Sequence, residues 1–120
     1  MVKLEEIGAR MEESVFLGNL ATLYFQNAQF EKARETYESA IAIYQQADDQ
    51  LNLAYFRAFY GALLAEGDEI DEAARCMGLA SSTLKEIGDD LGVAAVAVCE
   101  GLLDVARARQ ARLQNEEGST

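Results

Sequence analysis

Two cysteines and a surplus of carboxylates are the only residues here whose chemistry could reach beyond packing, because the 120-residue chain has no histidine. Imidazole acid–base catalysis and a serine–histidine–aspartate arrangement are therefore excluded. Cys76 and Cys99 stand 23 positions apart. A zinc site needs four nitrogen or sulfur ligands, which this pair does not supply. A nucleophilic thiolate at Cys99 needs a cation or base beside it, and none adjoins it in sequence. Both cysteines read as buried small hydrophobes, kept as free thiols in a reducing compartment. The acidic pairs Glu12-Glu13, Asp71-Glu72 and Glu116-Glu117 are consecutive, so on a helix they point different ways. Asp68-Glu69-x-Asp71 lacks the spaced oxygens and the glycine of a calcium loop. There is no glycine-rich phosphate loop. The expectation is a protein that is not an enzyme, with no metal and no cofactor.

Charge narrows the partners. The formal net charge is −11 and the sequence pI is about 4.3. Such a field repels a phosphate backbone and an anionic membrane, so neither nucleic acid nor membrane is expected. Arg107, Arg109 and Arg112 concentrate the positive charge, and they read as cations favoured near a helix C-terminus. The uncharged run from Leu91 to Cys99 is far too short to span a bilayer. No leader pattern is present at the start, and a cytoplasmic location is expected.

The elements that position these residues follow from an internal repeat. Ala21, Gly61 and Gly101 fall 40 residues apart, as do Phe30 and Ile70, Ala33 and Ala73, and Ala40 and Ala80. Asp49, Leu51 and Ala54 recur as Asp89, Leu91 and Ala94. Small residues at these positions let antiparallel helices approach to about 8–10 Å. Leu17, Leu20, Tyr24, Phe30, Tyr37 and Ile43 are expected to fill the space between them. Proline is absent, which suits uninterrupted helices. Apolar periodicity predicts helices near 10–27, 30–47, 50–66, 70–86 and 90–113. Asp89 or Asp90 caps the last helix and Gly88 closes the one before it.

The pattern Leu20-Ala21-x-x-Tyr24, then Phe30-x-x-Ala33-x-x-x-Tyr37-x-x-Ala40, resembles the tetratricopeptide repeat (TPR). A looser copy runs from Tyr60-Gly61-x-x-Leu64 to Ile70-x-x-Ala73-x-x-x-Met77-x-x-Ala80. The usual repeat has about 34 residues, so the resemblance is to the longer variants of about 40. Such variants occur in Pins-type adaptors, kinesin light chains and large bacterial transcriptional regulators. The final proline is missing, and Leu17 and Arg57 stand where tryptophan is common. The resemblance implies an all-α fold of helix-turn-helix repeats stacked as a short right-handed solenoid. One domain over 1–120 would hold repeat units at about 9–48 and 49–88, a capping helix at about 89–113 and a frayed tail over 114–120. Two and a half repeats result.

The resemblance also implies a function. The first helix of each pair lines a concave face, which here places Val15, Asn19, Thr22, Phe25, Tyr55, Phe59, Ala62, Val98 and Leu102 in a mostly apolar groove. Such a groove takes a peptide or helix of a partner protein, with aromatics as anchors. Phe56 and Tyr60 are expected to pack inside the stack instead. A carboxylate clamp for chaperone tails is disfavoured, since Asn19 fits one position while Val15, Phe59, Ala95 and Cys99 cannot donate. The alternatives are a homodimerisation module or a regulatory segment of a larger bacterial signalling protein. On the last helix, Leu91, Ala95, Val98, Leu102 and Ala106 are expected to rest on the preceding helix. Glu100, Asp104 and Arg107 would then face solvent where a partner would otherwise pack. Glu6-Ile7-Gly8 matches Glu86-Ile87-Gly88 and reads as the end of a preceding helix, as if the chain began inside a longer array.

Overall fold

A computed structural model describes the backbone of residues 4–118 and the side chains of residues 12, 13 and 16–117. Five α-helices follow one another: α1 (Leu4–Gln26), α2 (Phe30–Gln46), α3 (Gln50–Glu66), α4 (Ile70–Ile87) and α5 (Asp90–Gly118). No strand occurs among the described residues. The expected boundaries hold within a residue or so except at the outer ends. There α1 begins six residues earlier, at 4 instead of 10, and α5 ends five later, at 118 instead of 113. Glu6-Ile7-Gly8 therefore lies within α1 and ends no helix, because no turn residue follows to stop it. The backbone of the expected frayed tail is helical through Gly118.

The turns explain why the chain reverses where it does. Each connection contains one residue in the left-handed region, at Ala28, Asp48, Asp68 and Gly88, with φ of 61°, 55°, 63° and 81°. Glycine and aspartate reach this region more easily than alanine does. The residue after each stands at the N-cap of the next helix. Asp49 caps α3 by accepting from the Asn52 amide at 3.2 Å, and Asp89 caps α5 by accepting from the Gly92 amide at 3.0 Å. Gln29 and Glu69, ahead of α2 and α4, make no side-chain cap.

Successive helices pack against each other, and α3 also packs on α5. The radius of gyration is 16.0 Å, with extents of 62 × 31 × 22 Å. A rounded domain of this length would be near 14 Å, so the molecule is elongated. Its larger core unites α3, α4 and α5 through Ala54, Ala58, Leu64, Met77, Leu84, Val96 and Leu103. A smaller core holds Ala21, Ala33, Tyr37 and Leu63, with Tyr24, Phe56 and Tyr60 against it. Gly18 lets α1 meet α3: a Cβ there would run into the Phe56 ring. Phe56 stacks on Tyr44 at 5.1 Å between ring centres, and Tyr60 lies 6.3 Å from Tyr37. Both aromatics thus pack between helices, as expected.

The last helix departs from expectation. Val96, Cys99, Leu103 and Ala106 form its buried face, whereas Leu91, Val98 and Leu102 are 77%, 71% and 50% exposed. Of the stripe expected to rest on the preceding helix, only Ala106 is buried and Ala95 half-buried. An α-helix turns about 100° per residue. Glu100, Asp104 and Arg107 therefore share a flank of α5 beside α4, and the side opposite the core is apolar.

Candidate protein-binding groove

Between α1, α2 and α3 the helices leave an open concavity of about 360 Å³, lined by Thr22, Phe25, Gln26, Tyr37, Phe59, Ala62 and Leu63. Four of the nine groove residues expected from sequence meet here: Thr22, Phe25, Phe59 and Ala62. Their spacing accounts for the meeting. Thr22 and Phe25 are one turn apart on α1, and Phe59 and Ala62 one turn apart on α3.

Each side chain is held from behind. The Thr22 hydroxyl donates to the Gly18 carbonyl at 3.0 Å, and a 3.2 Å hydrogen bond joins it to the Tyr37 hydroxyl. Burial pushes the Tyr37 phenol above its ordinary pKa, although the Thr22 bond opposes this. Phe25 meets Phe30 edge-on at 5.7 Å, and Phe59 meets Phe56 edge-on at 6.1 Å. Phe59 nonetheless stays 40% exposed. Two supported aromatics with free surface and a few polar atoms are what an apolar anchor of a partner needs.

The other expected residues go elsewhere. Tyr55 donates to Asp89 Oδ2 at 3.0 Å and packs on the larger core. Burial and that bond raise its pKa. This ties α3 to the turn before α5. Asn19 is exposed and outside the concavity's lining. Val98 and Leu102 are exposed on α5 and do not line it either. The side chain of Val15 lies outside the described residues. Gln26, Tyr37 and Leu63 were not expected in the lining. Gln26 sits one turn beyond Thr22, so helical spacing could have found it. Tyr37 reads from sequence only as a filler of the space between helices.

Elsewhere the charged groups pair on the surface. Arg34 bonds Glu69 and Arg75 bonds Glu72, while Arg109 meets Asp68 at 3.0 Å. Exposed pairs of this kind contribute about 0–1 kcal/mol. Tyr60 donates to Glu38, and burial together with that carboxylate drives its pKa strongly upward. Cys76 and Cys99 are buried free thiols, and burial raises both above the ordinary thiol value. That is opposite to the shift a nucleophilic cysteine needs. Among the described residues no group of three or more histidine, cysteine, aspartate or glutamate side chains is placed to hold a metal ion. No helix among them is long and apolar enough to cross a membrane.

No protein-family model matches the chain, and neither does any curated protein or solved structure.

Proposed function

We propose that the protein is a cytoplasmic interaction scaffold: a short TPR-like solenoid whose concavity between α1 and α3 holds a peptide or helix of a partner protein. The observation that carries this reading is the pairing of Phe25 and Phe59 in one open, mostly apolar concavity, each braced by a second aromatic. The 40-residue sequence period and the left-handed turn residue in every connection support the solenoid. A chain without histidine, with both thiols raised in pKa, offers little to catalysis. Nucleic acid and membrane do not suit its charge of −11. A small apolar groove suits an amphipathic segment whose polar side carries basic residues, since the acidic field steers cations toward it.

Peptide display against the intact chain tests the reading. Enriched sequences are expected to carry an apolar anchor flanked by lysine or arginine. Phe59→Ala or Phe25→Ala should weaken them by about tenfold or more, while Val98→Glu should leave them unchanged. Enriched peptides indifferent to both phenylalanines would overturn it. Self-association is the second reading, and the exposed face of α5 favours it.

A further inference from the structure

The open side of α5 is the counterpart, 40 residues on, of the side of α3 that α4 covers. In α3 that side is Ala54, Ala58, Gly61 and Ala65, all buried, with Met77 Cγ only 3.0 Å from where a Cβ on Gly61 would stand. In α5 it is Ala94, Val98, Gly101 and Val105. Val98 and Val105 are 71% and 62% exposed, and a Cβ on Gly101 would meet nothing within 4 Å. Leu91 and Ala108 extend the stripe. From Leu91 to Ala108 the six positions alternate steps of three and four residues, which is the seam of a two-helix coil.

We propose that this seam pairs antiparallel with α5 of a second copy, about a two-fold axis through Gly101. The surface is separate from the groove, and the proposal does not depend on it. Two features select a second copy. First, α4 returns onto α3 through the turn Gly67-Asp68-Glu69, but the corresponding Arg107-Ala108-Arg109 is helical and α5 runs on to Gly118. The described residues that follow, through Gly118, thus continue the helix and do not fold back over the stripe. Second, the stripe is complementary to itself when reversed. Gly101 meets its own copy on the axis, where the absence of side chains permits close approach. Val98 then meets Val105, and Ala94 meets Ala108. Leu91 lies along the stem of Arg112, whose guanidinium reaches Asp90 of the other copy. A parallel pairing would instead set Asp90 against Asp90 and Arg112 against Arg112. One self-complementary patch closes as a two-fold dimer and leaves no open end.

Sedimentation equilibrium of the full chain tests this. The wild type is expected to dimerise reversibly at micromolar concentration. Val98→Glu should weaken dimerisation by at least about 100-fold, because it buries an unpaired charge at the seam. Its helical circular dichroism should not change, since Val98 is exposed in the single chain. Phe59→Glu should leave dimerisation as it is. Gly101→Cys should crosslink to itself under mild oxidation, with its sulfurs on the axis. Val98→Cys should crosslink mainly when mixed with Val105→Cys. A monomeric wild type would overturn the proposal and leave the stripe to a different partner. So would a dimer that survives Val98→Glu, a Gly101→Cys variant that does not crosslink, or a dimer lost on Phe59→Glu, which would move the interface to the groove.

Discussion

Helices α3 and α5 present the same small-residue side, yet α4 covers it on α3 and none of the described residues covers it on α5. Ala54, Ala58 and Ala65 are each 1% exposed. Their counterparts Ala94, Val98 and Val105 are all exposed. Residue type does not make the difference, because the α5 side is if anything more apolar. Two alanines have become valines. The difference lies in the next helix: Ala73, Met77, Ala80 and Leu84 of α4 fill the space over α3, whereas the positions on α5 that match the α3–α4 turn, 107–109, are helical. A helix side this apolar and this open is a surface that favours company.

The same charge placed on both sides should separate them most strongly. Ala58→Glu would bury an unpaired carboxylate between α3 and α4 and should cost about 3 kcal/mol or more. Val98→Glu, at the matching position of α5, should stay within about 0.5 kcal/mol of wild type when the chain is dilute enough to be monomeric. Urea titration of both variants decides. Equal losses would mean that Val98 is covered in the single chain and that the two sides are alike.

The same contrast shows how much the sequence could reveal. The five helices were legible, because glycine or aspartate marks three of the four turns and apolar residues recur at the helical period between them. The left-handed Gly88 was legible for the same reason, and the cap was narrowed to Asp89 or Asp90, of which Asp89 makes the bond. Four of the seven residues that line the concavity were legible, since Thr22, Phe25, Phe59 and Ala62 follow from helical spacing on α1 and α3. The orientation of α5 was not. Its residues offer two apolar stripes: Val96, Cys99, Leu103 and Ala106, or Leu91, Val98, Leu102 and Val105. Periodicity alone cannot choose between them, because burial depends on which neighbours arrive. Shifting the covered side of α3 by 40 residues points to Ala94, Val98, Gly101 and Val105, the side that α5 leaves open, because no counterpart of α4 packs on it among the described residues. Tyr55 misled for a different reason, as its hydroxyl found Asp89 across the chain, a pairing with no local signal.

A middle-sized effect tests volume in place of charge. Ala40 and Ala80 are fully buried at their helix contacts. Ala40→Phe and Ala80→Phe should each overpack the contact and cost about 1–3 kcal/mol. Ala94→Phe, on the open side of α5, should leave the dilute monomer unchanged within about 0.5 kcal/mol. Thermal unfolding of the three variants gives the order. A neutral Ala80→Phe would show that α3 and α4 are held less closely than the Gly61–Met77 approach implies.

The smallest expected effect is also the most discriminating, because the two sites start from the same residue at matching positions of α3 and α5. Replacing a glycine by alanine inside a helix gains about 0.5–1 kcal/mol, as the unfolded chain loses freedom it would otherwise keep. Gly101 should realise that gain in full, since a new methyl group there meets nothing within 4 Å. At Gly61 the methyl would stand 3.0 Å from Met77 Cγ and 3.3 Å from the Ala73 carbonyl oxygen. Methionine can bend aside, but the carbonyl belongs to the backbone of α4, so relief requires the helices to part. Gly61→Ala should therefore lose the helical gain and fall about 1 kcal/mol below wild type. The two substitutions, measured by urea titration in dilute solution, should move stability in opposite directions. If both raise it equally, α4 does not approach α3 closely enough to distinguish a covered side from an open one.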